Sequence, residues 1–337
     1  MSAPLRLGVL GAARIARGFV SGVAPSDVVT VAMVASRDAA KARAFAAEFG
    51  IERSAGDYEA LLAAPDIDAI YIPLPNGLHV PWAMRALKAG KHVLCEKPLA
   101  PTAPEARELF QVARERSLVL AEAFPYLAQP QTRTMRELIA AGTIGRVRQI
   151  QASFAFRLAN PADVRLEPSL AGGSLLDLGT YLVSLIRVIA GAQPVEVQAL
   201  AEYHAAGGVD RSLSGTLRFA DGLVAQLQCS FDGALNRQAL IVGSEGLIET
   251  TFRNHTSETL PGDLKLKRGV DAGAVESVVS SPPVNGFRAE AESFAHSVRG
   301  TGRWSGLSPD ESIDVAAVLE LLAASARERR ALPLRSA

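Results

Sequence analysis

The hydrophobic pattern of the chain changes character near residue 124. Before it, short apolar runs alternate with segments of helical spacing. The runs 5–10, 28–35, 69–72, 92–95 and 118–121 are of strand length and mostly apolar. The segments between them, 14–23, 38–49, 57–62, 80–89 and 104–116, read as helices. The second helix is the clearest: Asp38 is an N-cap candidate, Ala42, Phe45, Ala46 and Phe49 share one face, and Gly50 stands at the C-terminal position. Strands separated by helices of about ten residues predict βαβ units and a doubly wound parallel sheet of the Rossmann type.

After residue 124 the rhythm is different. Residues 146–156 alternate as a half-exposed strand, a Pro- and Gly-rich segment follows over 158–173, and a helix is expected over 174–190. Strand-like runs over 195–203, 213–219, 223–231, 238–242 and 246–252 have few helices between them. This predicts an α+β domain with a large, mostly antiparallel, open-faced sheet. Two helices close the chain, 287–298 and 309–328, while 253–285 reads as loops and weak strands. The expected division is a first, doubly wound domain over 1–123 and a second, α+β domain over 124–337.

Composition narrows the function. A length of 337 residues favours two domains. Lys+Arg and Asp+Glu are 35 each, so no basic excess suggests a nucleic-acid partner. No apolar run approaches the roughly 18 residues of a membrane span. The two cysteines, Cys95 and Cys229, exclude a disulfide scaffold and a cysteine zinc site, and the scattered histidines give no metal-ligand spacing. The first residues lack the pattern of a secretory signal, so a cytoplasmic location is expected. Lysine occurs at only six positions: 41, 88, 91, 97, 265 and 267. Arginine does not release its proton at useful pH, so amine acid–base chemistry must come from these six.

Chemistry-bearing residues fall at strand ends. The first strand runs into Gly11-Ala12-Ala13-Arg14-Ile15-Ala16, which matches the dinucleotide fingerprint at its first and last positions, with Ala13 in place of the middle glycine. The second strand ends in Ser36-Arg37, where an NAD site usually carries a carboxylate. Arginine pairs with a ribose 2′-phosphate, which favours NADP while leaving NAD possible. The strand 92–95 ends in Glu96-Lys97-Pro98, and another leaves the same edge as Pro73-Leu74-Pro75-Asn76 with His79 beyond it. Residues past the carboxyl ends of parallel strands face the ligand crevice. Asp177 and Tyr181 lie four apart on the helix expected over 174–190 and share a face.

Taken in order, these motifs resemble the glucose–fructose oxidoreductase, inositol dehydrogenase and rhizopine catabolism (Gfo/Idh/MocA) family. The Gly90-Lys91-His92-Val93…Glu96-Lys97-Pro98 run and Gly172-Gly173-Ser174-Leu175-Leu176-Asp177-Leu178-Gly179-Thr180-Tyr181 carry most of that resemblance. Within the family the chain looks most similar to the NADP-dependent aldose (xylose or glucose) and dihydrodiol dehydrogenases. The resemblance implies a hydride transfer between a nicotinamide and a secondary alcohol or hemiacetal carbon of a sugar or polyol. It implies Lys97 as acid/base with Asp177 and Tyr181, and cofactor contacts from Gly11, Ala13, Arg14, Ile15, Ser36, Arg37, Pro73, Leu74, Asn76, His79, Glu96 and Lys97. Tyr126, Phe154, Asn160 and Arg165 are expected at the substrate pocket. Burial and a cationic nicotinamide would both lower the Lys97 pKa, and Tyr181 is a second candidate for the proton. A homodimer or homotetramer is implied, formed through the open sheet face.

The chain departs from its relatives at Pro125, Leu127 and Gln129, where they often carry Met, Arg and His, and this puts the usual substrate in doubt. Competing readings are a dinucleotide-binding regulator, an enzyme that retains NAD and uses transient oxidation for glycoside cleavage, and an oxidoreductase of dihydrodiols or small aldehydes. The intact Lys97, Asp177 and Tyr181 argue against the regulator.

Overall fold

A computed structural model describes residues 3–204, 208–253 and 261–334. The first sheet has six parallel strands: β1 (Leu5–Leu10), β2 (Val29–Ala35), β3 (Arg53–Ala55), β4 (Ala69–Ile72), β5 (His92–Glu96) and β6 (Leu120–Ala123). Helices α1 (Arg14–Val23), α2 (Ala39–Phe49), α3 (Tyr58–Leu62), α4 (His79–Lys88) and α5 (Ala103–Glu115) connect them. The strand order β3-β2-β1-β4-β5-β6 reverses direction between β1 and β4. That switch point opens a crevice at the carboxyl ends of the strands. Every residue of β4 and β6 is buried, as a sheet covered on both faces requires. Asp38 caps α2 through Ala40 N and Lys41 N, and Gly50 ends it with φ 65°. Strand β3 was not expected, because Arg53-Ser54-Ala55 is too short and too polar to leave a hydrophobic pattern.

The second domain begins with α6 (Pro130–Ala140), followed by β7 (Val147–Arg157), α7 (Thr180–Ala190), β8 (Glu196–Tyr203), β9 (Asp210–Arg218), β10 (Val224–Ser230), β11 (Asp232–Gly243), β12 (Gly246–Thr250), β13 (Gly262–Arg268) and β14 (Val275–Ser281). Helices α8 (Gly286–Val298) and α9 (Pro309–Glu328) and the short β15 (Leu332–Pro333) complete the chain. Among the described residues the strands form one nine-stranded sheet, β14-β13-β12-β11-β7-β10-β9-β8-β15. Its pairs are antiparallel except β7 with β10. The β13–β14 hairpin supplies order to 253–285, where only weak strands were expected, and residues 254–260 of that stretch lie outside the described residues.

Period-two alternation divides the sheet into two faces. Ile150 and Ala152 of β7 point into the core, while Gln149 and Gln151 are exposed. The inner face packs against α7 and α9, and the outer face stays open and polar. The most apolar helical stretch, 168–190, is largely buried here, the position of a core helix. The chain then returns to the first domain. Phe287 of α8 meets Phe19 edge-on at 5.9 Å, and Phe19 stacks on Tyr71 of β4 at 3.8 Å. A boundary at 123/124 therefore separates the two sheets but not the two cores, since α8 buries Phe287, Ala291 and Phe294 in the first one.

Candidate active site

The loop after β1 has the features of a phosphate cradle. Gly11 has φ 127°, and a Cβ there would stand 3.0 Å from Leu74 Cδ2, so a side chain is excluded by backbone conformation as well as by space. Helix α1 starts after Ala13 with no side-chain cap and no acidic residue in its first turn. Its leading N–H groups are thus open to an anion. Arg14 and Ile15 are exposed beside them. Ser36 is buried and its Oγ accepts from Asp38 N, while Arg37 is exposed and its charge acts on the Tyr58 hydroxyl. Asp38 is committed to its cap, so no carboxylate is free to take a ribose 2′-hydroxyl, and the Ser36-Arg37 pair fits a 2′-phosphate.

Lys97 follows β5 at the carboxyl edge of the first sheet and reaches into the second domain. Its Nζ donates to the Asp177 carbonyl at 2.8 Å and to Asp177 Oδ1 at 3.0 Å, and lies 4.8 Å from the Tyr181 ring centroid. Asp177 sits in a π-helical turn, Leu175–Gly179, that leads into α7. The wider turn offers both its carbonyl and its carboxylate to one ammonium. Oδ2 accepts from Arg165 Nε at 2.7 Å. Burial pushes the Asp177 carboxyl up, but Lys97 and Arg165 outweigh it and hold the group below its usual value. Burial likewise pulls Lys97 down, but Asp177, Tyr181 and Glu96 outweigh it and hold Lys97 above the ordinary lysine value. Burial acts on the lysine in the expected direction, and the carboxylate at 3.0 Å more than offsets it.

The other expected site residues divide into open and enclosed groups. Pro73 is buried, and Leu74 is partly open against Gly11. Asn76 Nδ2 donates to the Ala171 carbonyl at 2.9 Å, tying the loop after β4 to the second domain. Glu96 Oε1 accepts from the Tyr71 hydroxyl at 2.7 Å, and burial raises its pKa. His79 is corrected from a cofactor contact to a positioning residue. It has no accessible surface, and its ring nitrogens lie 2.7 Å from the carbonyls of Pro98 and Leu74. Burial outweighs both carbonyls and takes the imidazole down to about 4, so at neutral pH it donates to one carbonyl only. Tyr126 is corrected in the same way: it is fully enclosed, bonded to Ser184 Oγ at 2.9 Å, and supports the site from behind. Phe154 is partly open beside Tyr181, with ring centroids 5.7 Å apart. Asn160 is exposed and bonds its own loop at Ala162 N. Arg165 is held by Asp177 and Asp163.

Three charged groups, the half-buried Arg237 and the buried Glu122 and Glu290, were not anticipated. Arg237 of β11 carries its guanidinium 4.4 Å from the Tyr181 ring centroid and 4.7 and 4.8 Å from those of Phe154 and Phe252. Its signal was present in the alternation Arg237-x-Ala239-x-Ile241, which sets an arginine on an apolar face. Glu122 of β6 accepts from Leu99 N at 2.9 Å, and burial raises its pKa to about 7. Burial also pushes Glu290 of α8 well above the carboxylate range. Among the described residues no group of three or more His, Cys, Asp or Glu is placed to hold a metal.

Residues 5–124 match the model of an oxidoreductase family with an NAD-binding Rossmann fold, and residues 132–249 match the Gfo/Idh/MocA C-terminal domain. The chain belongs to the Gfo/Idh/MocA family. One family relative is a D-xylose 1-dehydrogenase (NADP(+)) from Haloferax volcanii, 36% identical over 98% of this chain and 100% of its own length. Another is a dTDP-3,4-didehydro-2,6-dideoxy-α-D-glucose 3-reductase from Streptomyces violaceoruber, 38% identical over 94% of this chain and 92% of its own. Among solved structures of the family, a 3-ketoreductase from Actinomadura kijaniata in complex with NADP and TDP-benzene superposes with a TM-score of 0.86. It is 32% identical and covers 96% of this chain and 98% of its own.

Proposed function

We propose that the protein is an NADP-dependent dehydrogenase that transfers hydride between the nicotinamide and a secondary alcohol or hemiacetal carbon of a sugar or polyol. The observation that carries this reading is the Lys97 ammonium, fixed between the domains by Asp177 and lying against the Tyr181 ring. Sugar dehydrogenases and reductases among the relatives support it. Gly11, Ala13, Arg14 and Ile15 would hold the pyrophosphate, Ser36 and Arg37 the 2′-phosphate, and Pro73, Leu74, Asn76 and Glu96 the nicotinamide end. NADP, when bound, supplies the hydride acceptor or donor.

The chain itself must move one proton. In the direction of carbonyl reduction, Lys97 is an acid held in its charged form by Asp177, and it gives its proton to the substrate oxygen. In oxidation the path runs in reverse and starts from the neutral Lys97 amine, which accepts the proton of the substrate hydroxyl. Asp177 fixes the ammonium, and Arg165 fixes Asp177. A second reading has the Tyr181 hydroxyl exchange the proton while Lys97 remains a fixed cation. The raised Lys97 pKa favours it. Phe154 and Asn160 stand on the substrate side. The protein works in the cytoplasm as a homodimer or homotetramer joined through the open face of the nine-stranded sheet.

The test is a fluorescence titration with NADPH and NADH, followed by an absorbance screen of aldoses, inositols and diols. Tighter NADPH binding and turnover of a sugar support the reading. Tight binding without turnover of any polyol moves it to a regulator or an enzyme with retained cofactor, and binding of neither nucleotide overturns it.

A further inference from the structure

We infer that Arg237 is a positioning residue for the proton chemistry: its guanidinium, set against Tyr181 from the second sheet, makes negative charge on the Tyr181 oxygen less costly. The inference rests on the proposed role of Tyr181 as a proton-carrying group. Arg237 pairs in register with Phe154 across the β11–β7 ladder, so both side chains leave the same face of the sheet. The neighbouring Gln238 leaves the opposite, open face. The guanidinium lies over four aromatic rings, at 4.4 Å from Tyr181, 4.7 Å from Phe154, 4.8 Å from Phe252 and 5.9 Å from Tyr126. The aromatic rings fix its position and leave it half-buried, which strengthens its field on the nearest polar group.

Tyr181 then stands between two cations. Lys97 approaches from the end of β5 at 4.8 Å from the ring, and Arg237 approaches from β11. The other groups around it are Asp177, one turn earlier, which Arg165 also neutralises, and Tyr126 from the turn after β6. Glu96 and Tyr71 lie beneath Lys97, and Arg253 stands near enough to Arg237 to oppose its charge. Burial lowers the guanidinium to about 10, so it remains charged across the working range of an enzyme. Asp177 is divided between Lys97 and Arg165, and Lys97 and Arg237 are two cations set against the Tyr181 ring. A phenol flanked by two cations gives its proton more readily and holds the resulting charge longer.

The experiment follows Tyr181 directly. Protein labelled with ¹³Cζ-tyrosine is titrated by NMR, with the Tyr181 resonance assigned by its loss in Tyr181→Phe. Arg237→Met and Arg237→Gln remove the charge with different packing, and Arg237→Lys keeps it. Circular dichroism and NADPH binding establish which variants are folded, and either neutral variant suffices. The Tyr181 midpoint is expected to rise by about one to two pH units in the neutral variants, for an effective dielectric constant of about 20 to 40, and to stay near wild type in Arg237→Lys. The pH profile of kcat should move in parallel. An unchanged midpoint in a folded neutral variant overturns the inference. So does an equal displacement in Arg237→Lys, which would mark a packing effect. A midpoint that moves while the kcat profile stays fixed keeps the electrostatic link but removes Tyr181 from proton transfer, and so separates this inference from the function on which it rests.

Discussion

The contact between Lys97 and Asp177 joins the two domains, and its strength is open to a double-mutant cycle. Lys97→Met, Asp177→Asn and the double variant keep volume while removing one charge, the other, or both. At 3.0 Å and an effective dielectric constant of about 20, the Coulomb attraction is about 5 kcal/mol. Arg165 shares the carboxylate at 2.7 Å, and the two side chains retain 10% and 13% of their surface, so a coupling of about 2–4 kcal/mol is expected. Asp177→Asn alone should be the more harmful single change, because it leaves the buried ammonium without its counter-charge. The assay is urea unfolding followed by circular dichroism, reading the transition in which the domains separate.

The coupling also has a defined pH range. The folded pKa of Lys97 is raised, so its share is complete below the unfolded value of 10.5 and is lost as pH rises through the folded one. The folded pKa of Asp177 is lowered, so its share is complete above 3.8 and is lost as pH falls through its folded value. The cycle should therefore give a constant coupling between about pH 5 and 9. A coupling under about 0.5 kcal/mol would refute the claim that this pair fixes the lysine.

Three further outcomes are expected. Arg37→Ala should weaken NADPH binding by about 10- to 100-fold and leave NADH binding nearly unchanged, as read by fluorescence titration, because the cofactor group Arg37 would meet is the 2′-phosphate. Glu122→Gln should flatten the pH dependence of stability. The folded pKa of Glu122 is raised from 4.5 to about 7, so the wild type loses about 3 kcal/mol as pH rises through that window and the amide loses none, which urea midpoints at its two ends would measure. Gly172→Ala places a Cβ 2.4 Å from the Arg165 carbonyl, so thermal unfolding should show a loss of about 1–3 kcal/mol and turnover should fall as Arg165 leaves Asp177.

The first domain was readable because each of its strands except β3 is an apolar run bracketed by a helix of regular period, and its site residues lie at strand ends. Helices 287–298 and 309–328 were legible for the same reason, and α9 confirms its start with a capping box between Ser308 and Glu311. What periodicity could not convey was where α8 would pack. Phe287 looks alike whether it faces the second sheet or Phe19 of the first domain. Similarly, Lys97 was found from its place after β5, but its protonation depends on a carboxylate 80 residues away. His79 and Tyr126 were assigned to ligands by the family resemblance. Only three-dimensional packing shows that they have no surface at the crevice. Arg237 was overlooked because a single arginine in an alternating strand reads as a solvent-facing residue until the partner strand and α7 are in place.

Direct hydride transfer assisted by Lys97 leaves an isotopic trace. The most direct measurement gives the enzyme NADP and a turned-over aldose deuterated at the carbon to be oxidised, and follows deuterium into the nicotinamide ring by NMR. Deuterium is expected on the ring with wild type, and transfer slowed by about a hundredfold or more in Lys97→Met that still binds NADPH. Transfer at the wild-type rate in that variant, or a product formed with no deuterium in the cofactor, would contradict that mechanism.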